Sequence, residues 1–154
     1  MPAQVDDLLA EVDTPALVID LDLFERNLAA MSAAVRGKGV RLRPHAKSHK
    51  CPEIAKRQIA HGAIGICCQK VGEAEAFVAA GISDVLVTNE IVGAHKLARL
   101  AALARSAAIG VLVDDPGNVA ELAAAVAHAR AESVATLAEA TTANARRLFR
   151  MPMI

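Results

Sequence analysis

Residues 41–50 read RLRPHAKSHK and set the Lys47 amine among Arg43, His45, His49 and Lys50. Neighbouring cations disfavour protonation of an amine, and an unprotonated lysine condenses with carbonyl compounds. Lys47 is therefore the candidate nucleophile. On local composition a solvated basic turn is the competing reading, and it stays open at this point. His45 and His49, four apart, would share one helix face and form half of a metal site. Pro44 argues against a helix there and no acid occupies the HExxH position, so no metal ligand is assigned.

Other polar residues follow short apolar runs: Gln69 and Lys70, then Thr88, Asn89 and Glu90, then Asp114 and Asp115. Each group suits a turn or a cap. Together they suggest a cleft on the rim that carries Lys47, and Gly72 offers a backbone N–H there to an anion. Cys67 and Cys68 end an apolar run and read as small buried hydrophobes, as do Phe24 and Phe77 as core residues. His61 reads as a cation at a helix C-terminus, and His95 and His128 as structural.

The elements that would position these groups alternate. Strands are expected at 15–20 (PALVID), 40–43 (VRLR), 63–68 (AIGICC), 84–88 (DVLVT) and 109–113 (IGVLV). Helices are expected from Asp22 to about Val35, with Glu25 as capping-box partner and Gly37 as terminator, and over 52–61, 72–80, 94–106 and 118–130. Apolar strands separated by helices every 20 to 25 residues imply a parallel sheet with helical cover. Such a sheet carries its site at the C-terminal strand ends, where residues 43–50 fall. Periodicity does not choose between a barrel and a doubly wound sheet. Residues 131–154 lack the sixth strand that the rhythm demands; they read as a helix or a poorly packed tail ending in an apolar MPMI.

The chain has 154 residues, 17 basic and 17 acidic side chains, and no Trp or Tyr. That length holds one core but falls short of the roughly 250 residues of a (β/α)8 barrel. Zero net charge and few aromatics argue against nucleic acid as a partner. No apolar run approaches the roughly 20 residues of a membrane span. Residues 1–13 are acidic, without a signal-peptide pattern, and three cysteines without a CxxC pair argue against a disulfide framework. A cytoplasmic location is expected.

Four ordered motifs then carry a resemblance: DTPALVIDLD at 13–22, RPHAKSHK at 43–50, ICCQKVGEAE at 66–75 and DVLVTNEIVG at 84–93. Over residues 13–130 the chain resembles the D-threonine aldolase / 3-hydroxy-D-aspartate aldolase group. That group is related to D-serine dehydratase and is built on the alanine-racemase-like barrel of fold-type III pyridoxal-phosphate enzymes. The resemblance implies an α/β fold, roughly the first half of a (β/α)8 TIM-type barrel. It implies a lyase that cleaves small β-hydroxy-D-amino acids to glycine and an aldehyde. Lys47 would form the internal aldimine with pyridoxal 5'-phosphate, Gln69 would contact the cofactor, and His45 and Arg43 would flank it. A divalent metal, Mn or Mg, is implied for the full-length family, with ligands in a C-terminal β-domain that this chain lacks. Strand 15–20 would join that domain, making the Lys47 strand the first of the barrel.

The expected organisation is thus residues 1–130 as the N-terminal part of the cofactor-binding barrel and 131–154 as an atypical tail foreign to the fold, by truncation or frameshift. The alternatives are a D-serine dehydratase-like or racemase-like enzyme, a catalytically inert polypeptide, and a cofactor-binding module. Association with a second copy is an open expectation, because half a barrel leaves sheet edges unpaired.

Overall fold

Three strands, each flanked by helices, form the centre of the computed structural model, which describes residues 3–152. The strands β1 (Ile66–Cys68), β2 (Asp84–Glu90) and β3 (Ala108–Leu112) run parallel in the order β1-β2-β3. Ile66 pairs with Val85 and Val85 with Ile109, which fixes the register. Helix α1 (Leu21–Val35) precedes them, and α2 (Pro52–Ala60) leads into β1. Helices α3 (Val71–Ala79) and α4 (Ala94–Leu103) are the crossovers, and α5 (Pro116–Arg130) and α6 (Val134–Phe149) complete the chain.

The alternation of side chains along a strand separates the two faces. Ile66, Cys68, Val85 and Val87 are fully buried beneath the helices with Phe77 of α3 and Leu97 and Leu100 of α4. Burying each large side chain of this kind contributes roughly 1.5–3 kcal/mol. On the opposite face Asp84, Leu86 and Thr88 of β2 remain half-buried. That face carries the polar chemistry.

The two earliest expected strands differ. Residues 16–20 pair with no strand among the described residues, and Leu17 and Val18 lie exposed. An extended segment becomes a strand only when a neighbour takes its N–H and C=O groups. Residues 40–43 come closer. Leu42 and Pro44 accept hydrogen bonds from Ile64 and Cys67 at 3.0 and 2.7 Å, and His45 bridges Cys67 in parallel. Pro44 has no N–H to donate, so the ladder along this edge stays incomplete. Gly65 permits the close approach at this point, since a Cβ there would meet the Asp84 carbonyl oxygen at 2.4 Å.

Helix α1 starts one residue early because Asp20, two residues before the expected start, caps it by accepting the Leu23 N–H at 2.9 Å. Glu25 is not a capping-box partner; it bonds Arg57 of α2 and His61 just past that helix instead. Phe77 is core, while Phe24 is half-buried. Residues 134–149 are helical, capped by Ser133, and bury no side chain. Part of the MPMI terminus, residues 153 and 154, falls outside the described residues.

Candidate active site

Beyond the His45 bridge the chain leaves the sheet edge in a single 3-10 turn, Ala46–Ser48. Ala46 is wholly buried and seats the turn, while Lys47 faces solvent. The Lys47 amine donates to Gln69 Oε1 at 3.4 Å. Gln69 directly follows β1, so amine and amide meet at the C-terminal rim of the sheet. No carboxylate pairs with Lys47 among the described residues.

His45 holds this turn from below. Thr88 Oγ1 donates its one proton to the Cys68 carbonyl at 3.1 Å. It must therefore accept from His45 Nε2, which lies 2.7 Å away. With the proton on Nε2, Nδ1 is free to accept the Lys47 backbone N–H at 3.3 Å. Both ring nitrogens are thereby satisfied in the neutral form. Burial, and then the Lys47 charge, push the His45 pKa below 6.5 against a smaller opposing pull from Glu73.

Arg43 lies on the same face two residues earlier, at the other end of the strand. Its guanidinium makes a two-pronged ion pair with Asp84, at 2.9 and 3.0 Å, and reaches the Ile66 carbonyl. Asp84 opens β2 and Thr88 is its fifth residue, so the Asp84 end of the pair lies about 13 Å along the strand from Thr88. The structure brings His45, Lys47 and Gln69 together and sets Arg43 one layer lower.

A cleft of ≈ 170 Å³ opens on the far side of Gln69, with Lys70, Gly72, Asn89 and Glu90 in its wall. Of the expected strand-end residues, Gln69, Lys70, Asn89 and Glu90 thus share one cleft, while Lys47, Thr88, Asp114 and Asp115 line no part of it. Asp115 instead caps α5, accepting the Asn118 N–H. Cys67 and Cys68 are buried free thiols, and burial pushes Cys68 up to about 11, which leaves neither suited to nucleophilic attack.

Thr88, already expected on the rim, fixes the His45 tautomer, and two residues that the sequence analysis did not single out also hold the site: Asp84 binds Arg43, and Glu73 accepts the Gln69 backbone N–H at 2.8 Å. The position of Glu73 in the first turn of a helix, four residues after Gln69, is the signal that finds it.

The donor set fits a carbonyl-bearing cofactor: an exposed amine faces an uncharged amide oxygen, beside a neutral imidazole. It does not fit a metal. Among the described residues no group of three or more His, Cys, Asp or Glu side chains is placed to hold an ion. Nor is any described helix long and apolar enough to cross a membrane.

Comparison with known proteins identifies the family. The D-threonine aldolase of an Arthrobacter species is 58% identical over 131 residues, 85% of this chain and 35% of that protein. The 3-hydroxy-D-aspartate aldolase of Paracoccus denitrificans is 48% identical over 118 residues, 75% of this chain and 30% of that protein. The solved structure of D-threonine aldolase from Filomicrobium marinum matches with a TM-score of 0.81 at 57% identity, over 84% of this chain and 35% of that one. The chain thus spans about a third of the length of the relatives it matches, and corresponds to their N-terminal part. Its parallel strands and outer helices are a partial TIM-type barrel. The model of the alanine racemase N-terminal domain matches residues 19–147, and the chain belongs to that family.

Proposed function

We propose that this chain supplies the cofactor-anchoring part of a pyridoxal-phosphate-dependent carbon–carbon lyase acting on small β-hydroxy-D-amino acids of the D-threonine or 3-hydroxy-D-aspartate type. The observation that carries the reading is the Lys47 amine, exposed at the sheet rim against Gln69 Oε1 and free of any described carboxylate. The names of the two aldolases supply the substrate class.

When bound, pyridoxal phosphate supplies an aldehyde that condenses with an amine and a pyridinium that takes up electrons released at Cα. The residues of this chain divide the remaining work. Lys47 offers the amine, and Gln69 Oε1 orients it by accepting a hydrogen bond from it. Neutral His45 keeps the Lys47 backbone in place and adds no positive charge beside the amine. Arg43 is assigned to holding the His45 segment to β2 through Asp84, one layer beneath the cofactor. A divalent metal, Mn or Mg, is assigned to the rest of a full-length enzyme. The three thiols are unpaired, in keeping with a reducing cytoplasm.

The test incubates the chain with pyridoxal phosphate, reduces with borohydride and maps the adduct by mass. A pyridoxyl group on Lys47, absent from Lys47→Ala, is expected; equal labelling of the variant removes Lys47 from its role. Glycine release from D-threonine, with and without manganese or magnesium, then separates an active lyase from an inert polypeptide. Release of ammonia and a 2-oxo acid would mark a dehydratase instead. Light scattering on the same preparation tests for a homo-oligomer.

A further inference from the structure

We propose that Glu73 is a positioning residue for the Lys47 site, a single carboxylate that clamps together the two loops bearing Lys47 and Gln69. The proposal rests on the reading of Lys47 as the cofactor anchor, and its geometry is independent of that reading.

Glu73 stands in the first turn of α3 with its side chain 14% exposed. One oxygen accepts the Gln69 backbone N–H at 2.8 Å, and the other lies 3.5 Å from the Lys50 amine. Gln69 carries the amide that meets the Lys47 amine, and Lys50 ends the turn that carries Lys47. Both sides of the Lys47–Gln69 contact are thus tied to one group.

The turn needs such a tie. Lys50 holds a left-handed backbone with φ 51°, a conformation that side-chain-bearing residues adopt only when their surroundings impose it. Its N–H closes the turn on the Ala46 carbonyl at 2.8 Å. With the Lys50 amine drawn to Glu73, the left-handed residue is held at both ends. Burial raises the Glu73 carboxyl, but the Gln69 N–H and the Lys50 charge outweigh it and hold the carboxyl below its ordinary value, so it is ionised at neutral pH.

A carboxylate that only capped α3 would need the backbone N–H groups of Gln69 and of the N-cap Lys70, and nothing more. The second oxygen on Lys50, and the strained turn that Lys50 closes, point to the additional role. The two roles separate chemically, because glutamine at position 73 keeps an acceptor for Gln69 but loses the charge that holds Lys50.

The experiment reads Glu73→Gln and the double variant Glu73→Gln/Lys50→Gly against the unaltered chain. The first readout is amide hydrogen exchange of Lys50 and Gln69 without cofactor. The second is the rate of borohydride-fixed pyridoxyl labelling of Lys47. In Glu73→Gln the Lys50 amide should exchange roughly tenfold faster while Gln69 stays protected, and Lys47 labelling should slow roughly tenfold as the amine loses its placement. Lys50→Gly, which accepts φ 51° without strain, should restore the labelling rate in the double variant. Unchanged Lys50 exchange in a folded Glu73→Gln protein overturns the clamp and leaves Glu73 a helix cap. If Lys47 is never labelled in the unaltered chain, the anchor reading fails, and the exchange data alone decide whether the clamp exists.

Discussion

Replacing Thr88 by valine isolates the hydroxyl on which the His45 arrangement depends. Threonine and valine have nearly the same shape, so the cavity cost is small and the effect is polar. The hydroxyl accepts from His45 Nε2 at 2.7 Å and donates to the Cys68 carbonyl at 3.1 Å. Each bond contributes about 1 kcal/mol net, and a buried partner left without one costs about 1–3 kcal/mol. His45 and Thr88 are half-buried, so water recovers part of the loss, and the expected destabilisation is about 2 kcal/mol. With a urea dependence near 2 kcal/mol per molar, the unfolding midpoint should fall by about 1 M. Far-ultraviolet circular dichroism is the appropriate probe, since the chain has no Trp or Tyr for fluorescence. Nitrogen NMR of the His45 ring should show the Nε2–H tautomer in the unaltered chain and a mixture of tautomers in Thr88→Val. Thr88→Ser, which keeps the hydroxyl, should retain the tautomer. An unchanged midpoint together with an unchanged tautomer in Thr88→Val would refute the assignment of proton positions from Cys68 to Lys47.

Stability should also depend on pH in two separate windows. His45 and His49 are both held below 6.5, chiefly by burial; as pH falls through 6.5 the unfolded chain takes up protons that the fold refuses, so urea midpoints should drop between pH 7 and 5. Glu25, held low by its bonds to Arg57 and His61, and Glu75, held low by Arg99, add stability above 4.5. That part should vanish as pH falls through their folded values, and a flat profile from pH 7 to 3 would contradict both directions. Gly65→Ala would set a Cβ 2.4 Å from the Asp84 carbonyl oxygen and 2.6 Å from Arg43 Nη1, and should cost about 3 kcal/mol; an unshifted thermal transition would show that the edge segment is not packed on β1. With Ellman's reagent at pH 8, half-exposed Cys51 should react well before Cys68, whose thiol is pushed up to about 11; simultaneous reaction would mean that the sheet opens readily.

The parts of the fold legible in the sequence are those governed by local periodicity. Strands ending at Cys68 and spanning 84–90 and 108–112, with helices α2 to α5 before, between and after them, fall where apolar runs and Pro or Gly punctuation put them. The segments at 15–20 and 40–43 have the same apolar character, yet their hydrogen bonding depends on neighbours distant in the chain, which composition does not encode. The site follows the same division. The rim position of Lys47, His45 and Gln69 follows from their places just past strand ends. Arg43 shares their motif but not their location, because two residues along a strand keep the same face while changing the layer. Asp84 stayed hidden because it acts on a residue brought close only by the tertiary fold, and so did the Lys50 contact of Glu73, whereas its bond to Gln69 is local.

The Lys47 turn is supported from three directions, and each support acts on backbone or on a neighbour rather than on the amine itself. From below, His45 accepts the Lys47 N–H and is itself fixed by Thr88 of β2. Behind the turn, wholly buried Ala46 seats it on the core, and His49 packs edge-on against Phe77 at 6.5 Å while accepting the Cys51 N–H. At the side, Glu73 holds Lys50 and Gln69. The Lys47 backbone is therefore ordered before any ligand arrives, and only its flexible side chain remains to be fixed. A group that condenses with this amine meets a placed nucleophile, and so avoids most of the ordering cost that a mobile loop would impose. The same logic explains why the supports come from β2 and α3 as well as from the turn's own segment. A rigid site on a parallel sheet must borrow its rigidity from the next β/α unit, since the turn is too short to supply its own.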